Sequence, residues 1–192
     1  MNIDKITNFF FEIASLRRLT RSHCQAIQEA NDNISDHSFR VTVIGMILAE
    51  LEKCDVNKVI KMCLFHDLEE ARTGDANFVN KQYLDLKKEE ATEDQLRELP
   101  IEKEVLQILE EYIKRESKEA IVAKDADLLD QMILQQEYFY KDQINRDIWQ
   151  LHTLKEIKTD SAKELAKKIE TSNPFEWIYK LAEEKTGEKI DR

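Results

Sequence analysis

Ile3, Ile6, Phe9, Phe10, Ile13, Leu16 and Leu19 recur at spacings of three and four, a period that predicts a helix over residues 3–19. The pattern then lapses through a polar stretch ending in Asn31, Asp32 and Asn33, which reads as a loop. Asn33 or Ser35 can cap a second helix reaching about Lys53, and Asp55 can cap a third. The third carries Val59, Ile60, Met62, Cys63, Leu64 and Phe65, and Gly74 ends it or a short extension of it. Residues 80–97 are highly charged with weak periodicity, which predicts a surface helix. Leu99-Pro100 breaks that segment and opens a helix over 101–115. A long helix follows over about 118–141, with Ile121, Val122, Ala126, Leu129, Met132 and Ile133 on its apolar positions. Ser172-Asn173-Pro174 separates two last helices, about 147–170 and 175–186.

Composition strengthens this all-α reading. Gly 3 and Pro 2 in 192 residues supply little of the turn chemistry that many short strands would need. The length suits one domain with a substantial core, spanning 1–192 with no repeat or linker. A net charge of −10 argues against a nucleic-acid polymer as partner but leaves room for a small phosphate ligand. Cys24, Cys54 and Cys63 show no CxxC spacing, so neither a disulfide framework nor a zinc knuckle is expected, and the chain reads as cytoplasmic. The longest apolar stretch, about 41–49, is too short for a bilayer span, and the N-terminus lacks a signal-peptide pattern.

One feature does not fit a plain helical core. His66-Asp67 closes the apolar run of the third helix, with Glu70 one turn further on. His66 shares a face with Val59, Met62 and Cys63 and so points inward. His37 shares a face with Val41, Ile44, Leu48 and Leu51 and points into the same interior. In the long later helix Asp127 aligns with Ala123 and Leu134, which buries a carboxylate and demands a compensating cation. Asp125, two residues earlier, lies off that stripe and is expected to matter neither for metal nor for stability. Taken singly, His37 reads as a core or capping histidine, Asp127 as a surface carboxylate or cap, and Glu70 as a solvated helix end. Together they suggest a mixed nitrogen and oxygen site for Mn²⁺, Co²⁺, Fe²⁺ or Zn²⁺, and less well for Mg²⁺.

That set carries a resemblance. Asp36-His37-Ser38, His66-Asp67 and Lys124-Asp125-Ala126-Asp127 resemble the H…HD…D signature of the HD-domain phosphohydrolases. Asn33-Ile34-Ser35-Asp36-His37-Ser38, the run from His66-Asp67 to Thr73-Gly74-Asp75, and Met132 to Tyr138 are similar to its nucleotidase (YfbR-like) branch. The match runs from about residue 13 to 140, and the helices over about 147–186 would pack on that core. The resemblance implies an HD-domain helical bundle with one divalent metal held by His37, His66, Asp67 and Asp127. It implies hydrolysis of (deoxy)nucleoside 5′-monophosphates, with Glu70 directing the attacking water, Asp75 on the sugar hydroxyl and Arg21 on the phosphate. It further implies a homodimer. The chain departs from the pattern at Ser22-His23-Cys24, where an aromatic residue usually follows the arginine, and at Ala76-Asn77-Phe78, where an apolar residue and a proline are usual. Both departures lie where base and sugar would be held. Two other readings therefore stand beside the nucleotidase: a hydrolase of a nucleoside triphosphate, cyclic or alarmone nucleotide, and a non-catalytic nucleotide-sensing domain.

The remaining features read plainly. Phe9-Phe10-Phe11 suits core or dimer packing, His23 and His152 are not expected as ligands, and Lys87-Lys88-Glu89-Glu90 reads as a solvated helix face. Trp149, Trp177 and Tyr179 suit packing among the late helices or across a subunit interface.

Overall fold

Side-chain caps start most of the long helices, and the caps fix their phase. In the computed structural model, which describes residues 2–26, 31–140 and 153–190, α1 (Ile3–Ile13) begins on Asn2. α2 (Ile34–Glu52) begins on Asn33 and α3 (Val56–Phe65) on Asp55, each side chain accepting the N–H three residues on. α4 (Glu70–Thr73), α5 (Lys88–Leu96) and α6 (Glu102–Lys114) follow. α7 (Lys118–Phe139) is capped by Ser117 and α8 (Asp160–Thr171) by Thr159, and α9 (Glu176–Thr186) ends on Gly187. Among the described residues there is no strand, only an isolated bridge between Thr20 and Asn33. No described helix is long and apolar enough to cross a membrane.

Two apolar clusters hold the chain together. The larger lies where α2, α3 and α7 meet, around Val41, Leu48, Val59, Met62, Ala126 and Leu129, with α8 added through Ala162 and Ala166. Gly45 permits the close approach. A Cβ there would stand 2.5 Å from Cys63 Sγ and 3.2 Å from Val59 Cγ1, closer than packed side chains come. The smaller cluster joins α1, α5 and α6 through Phe9, Leu96, Val105 and Leu109, and it also takes in Leu68. Cys63 thus sits in one cluster and Leu68 in the other, so the turn between α3 and α4 is pinned from both sides. That turn is His66–Glu69.

Several expectations are corrected. The first helix stops at Ile13, and a 3-10 turn, Leu16–Arg18, redirects the chain. Backbone bonds from Arg21 N to Asp32 O (3.0 Å) and Ile34 N to Leu19 O (3.1 Å) then fasten that segment to the start of α2. Within the charged stretch a 3-10 turn, Asn80–Gln82, precedes an α-helix over Lys88–Leu96 alone, which buries Thr92, Gln95 and Leu96 against its neighbours. Of the three phenylalanines only Phe9 is buried; Phe10 and Phe11 are exposed. Trp149 and His152 lie outside the described residues, and Trp177 is exposed on α9. Asp125 is the largest correction. It is buried, and its carboxylate accepts Lys158 N (3.0 Å), Thr159 N (2.7 Å) and Thr159 Oγ1 (2.7 Å), so it ties α7 to the start of α8.

Candidate metal centre

Three helices deliver four acceptor atoms to one point. His37 projects from the first turn of α2, His66 and Asp67 from the pinned turn after α3, and Asp127 from the middle of α7. His37 Nε2 lies 3.2 Å from His66 Nε2, 3.5 Å from Asp67 Oδ2 and 3.3 Å from Asp127 Oδ1. His66 Nε2 lies 3.2 Å from Asp67 Oδ2 and 3.9 Å from Asp127 Oδ1. The break in the helix after Phe65 matters here, because it lets consecutive residues both turn inward, which a continued helix would splay apart by about 100°.

The tautomers follow from the outer contacts. His66 Nδ1 is 2.8 Å from the Cys63 carbonyl oxygen, which can only accept, so the ring proton sits on Nδ1. His37 Nδ1 is 2.7 Å from Asp130 Oδ2, which places a proton on Nδ1 likewise. Both Nε2 atoms therefore face each other and two carboxylates, and against burial those carboxylates hold the His37 pKa well above 6.5, so a proton sits on its Nε2 until an ion displaces it. Such a set is repulsive without a positive charge at its centre. Donors about 2.1 Å from a shared ion stand roughly 3.0–3.4 Å apart, and most of these separations match. The residues fit a divalent cation, with His37, His66, Asp67 and Asp127 able to hold it.

The surroundings lean the same way. Burial opposes charge on Asp67, but His66, His37 and Arg21 outweigh it and hold its carboxyl well below the usual range. Burial likewise opposes charge on Asp127, yet Lys124 and the two histidines keep it well below that range; Lys124 Nζ is 2.7 Å from Asp127 Oδ2. Asp130 in turn is gripped by Arg40, whose guanidinium also holds Asp32 at 3.1 and 3.0 Å. The sequence reading passed over Asp130 and Arg40. The available signal was a carboxylate one turn beyond Asp127 inside an apolar run, which is seldom solvated.

Arg21, Asp75 and Glu70 line one side of this cluster. Arg21 is part-buried rather than solvated, with Nη1 3.1 Å from Asp67 Oδ2 and 3.7 Å from Asp75 Oδ2. Its Nε is buried and makes no hydrogen bond among the described residues, a donor still in need of an acceptor. Asp75 Oδ2 accepts Ser22 N at 2.7 Å and so fixes the arginine's segment against the loop after Gly74. Glu70 is buried, and its Oε2 likewise has no hydrogen-bond partner among the described residues. Burial, with Asp67 and Asp75 nearby, pushes its carboxyl up to about 9, against the pull of Lys88 and Arg21. His23 stays outside the cluster, and burial beside Arg21 brings its imidazole down to about 4, which leaves it neutral.

A family model described as HD domain matches residues 13–170. The 5′-deoxynucleotidase HDDC2 of mouse (Mus musculus) is 29% identical over 115 residues, covering 57% of this chain and 57% of that protein. The protein of the same name from Xenopus laevis is 29% identical over 139 residues, 69% of each. The match thus spans little more than half the length of the mouse relative. Among solved structures, a conserved hypothetical protein from Pyrococcus furiosus superposes with a TM-score of 0.69 at 30% identity, covering 85% of this chain and 96% of that one. A predicted metal-dependent phosphohydrolase from Magnetospirillum magnetotacticum shares the fold, with a TM-score of 0.67 at 22% identity over 87% of this chain and 90% of that one.

Proposed function

The chain belongs to the HD domain family, and on that footing we propose that it is a divalent-metal-dependent phosphohydrolase releasing phosphate from (deoxy)nucleoside 5′-monophosphates. The observation that carries the reading is the convergence of His37 Nε2 and His66 Nε2 on two carboxylates, one turn from a buried Glu70 whose Oε2 has no hydrogen-bond partner among the described residues. The relatives named 5′-deoxynucleotidase support the substrate class. A mixed nitrogen and oxygen set favours Mn²⁺, Co²⁺, Fe²⁺ or Zn²⁺ over Mg²⁺. A net charge of −10 favours a small nucleotide over a nucleic-acid polymer. Three cysteines without disulfides favour the cytoplasm, and a homodimer belongs to the same reading.

A phosphate monoester dianion repels an incoming nucleophile, so the site must supply positive charge and a base. His37, His66, Asp67 and Asp127 would hold a divalent ion, which would supply positive charge to the phosphate oxygens and acidify water in the site. Arg21 adds a planar guanidinium whose buried Nε is a spare donor for a phosphate oxygen. Glu70 accepts a proton of the attacking water on Oε2 as the water oxygen bonds to phosphorus and the bond from phosphorus to the ribose 5′ oxygen breaks, and the carboxyl then returns that proton to the departing 5′ oxygen. Burial raises this carboxyl, and cations brought beside it act in the opposite direction, so the charged site favours the carboxylate that a base must be. Asp75 holds the loop that would meet the sugar hydroxyl.

Phosphate release from the common mononucleotides with Mn²⁺ or Co²⁺, wild type against Glu70→Ala, tests this. Wild type should turn over at least one of them and the variant should lose about 10²- to 10⁴-fold in rate. Absence of phosphate from every mononucleotide while metal stays bound would sink the reading.

A further inference from the structure

A second acidic group adjoins the first. Asp67, Glu69 and Glu70 bring carboxylate oxygens within 4.8 Å of one another, and Glu69 and Glu70 are both buried. Burying two carboxylates side by side is costly unless a cation answers them. The structure supplies that cation from a distant part of the chain. Lys88, at the start of α5, hydrogen-bonds Glu69 Oε1 and places Nζ 3.6 Å from Glu70 Oε1. Its neighbour Lys87 behaves as a solvated helix residue, pairing with Glu90 at 3.0 Å on the surface. Two adjacent lysines that look alike in sequence thus have different surroundings.

The two contacts of Lys88 are unequal, and so are the two oxygens of Glu70. Glu69 is held by a hydrogen bond, while Glu70 is held at ion-pair distance, close enough to stabilise charge without taking up its lone pairs. Oε1 of Glu70 faces the ammonium, and Oε2 is the buried acceptor without a partner. In two-metal phosphatases a second ion sits about 3.5–4 Å from the first and provides the additional charge. Here a side chain already occupies the acidic pocket beside the candidate metal centre.

We propose that Lys88 is a positioning residue for the hydrolytic carboxylate: its ammonium fixes Oε1 of Glu70 so that Oε2 faces the water to be deprotonated. The proposal rests on the phosphohydrolase reading above. It assigns Lys88 no contact with substrate, which sets it apart from Arg21.

Steady-state phosphate release from a deoxynucleoside 5′-monophosphate by the Mn²⁺-loaded wild type, Lys88→Met, Lys88→Arg and Glu70→Gln proteins tests it, with metal content measured on each. Lys88→Met should lower kcat by about 10- to 100-fold with KM and metal content held, and Lys88→Arg should recover most of the loss. A rise in KM with kcat intact would make Lys88 a phosphate contact and overturn the proposal, as would unchanged kinetics or loss of metal. A wild-type protein that releases no phosphate would count against the hydrolase reading instead. The contact itself is then decided by acetylation with acetic anhydride followed by mass spectrometry. Lys88 should gain reactivity relative to Lys87 in Glu70→Gln, and an unchanged ratio overturns the contact.

Discussion

His37 and His66 bring their Nε2 atoms within 3.2 Å of each other because each ring engages an outer acceptor through Nδ1, His37 on Asp130 and His66 on the Cys63 carbonyl. The outer contacts therefore create the metal-binding character of the inner ones. His66→Ala, Asp67→Ala or Asp127→Ala should abolish binding of Mn²⁺ or Co²⁺ by elemental analysis. Wild type at 100 times its Kd should gain about 2.7 kcal/mol of stability from the ion. For a chain of this length that is a rise in Tm of roughly 5–10 °C. The same metal added to the variants should leave their Tm unmoved.

Asp130 should behave differently from the four inner residues. It touches His37 Nδ1 and Arg40 and is not placed to meet an ion. Asp130→Ala frees His37 to change tautomer and ring angle, so it should weaken metal affinity by about 10- to 100-fold without abolishing it. A chelator-competition titration would measure this. Affinity equal to wild type would mean that α2 packing alone orients the imidazole.

Metal uptake should also displace protons. Burial and Arg21 oppose charge on His37, yet contacts with Asp127, Asp130 and Asp67 win and hold its pKa well above 6.5 in the metal-free protein. Because that folded-state value is raised, the proton stabilises the metal-free fold below the ordinary histidine range, and this contribution is lost as pH climbs through the raised value. An ion competes with that proton for Nε2, so apparent affinity should rise with pH through neutrality. Addition of Co²⁺ to metal-free protein in weak buffer at pH 7 should release about one proton per ion. Calorimetry in buffers of different ionisation enthalpy reads that number, and zero release would contradict it.

The helices were legible in the sequence where caps and apolar periods agreed. Asn33 and Asp55 start α2 and α3 as their spacing suggests, and His37 and His66 face inward as their stripes require. Asp127 comes beside His37 and His66 on the face it shares with Ala123 and Leu134, although it is part-buried rather than buried. What the sequence hid depends on contacts between distant elements. Lys88 and Lys87 are indistinguishable by local pattern, and only the packing of α4 against α5 brings one of them to Glu69 and Glu70. The stop of α1 at Ile13 is equally non-local. Its apolar period continues to Leu19, but the pairing of Leu19 and Arg21 with residues 32–34 overrides it.

Asp125 and Asp127 make the sharpest contrast of this kind, two residues apart on α7 with opposite duties. Asp127 Oδ1 faces His37, whereas Asp125 accepts two backbone N–H groups and a hydroxyl at the start of α8. Asp125→Ala removes the acceptor of those part-buried donors, and losing their hydrogen bonds to a carboxylate costs about 2–3 kcal/mol. Urea unfolding should show that loss with the m value held, while metal content stays at the wild-type level. Asp127→Ala should give the reverse, with metal lost. Equal loss of metal from both variants would mean that α8 docking, rather than the side chain of Asp127, keeps the centre in shape.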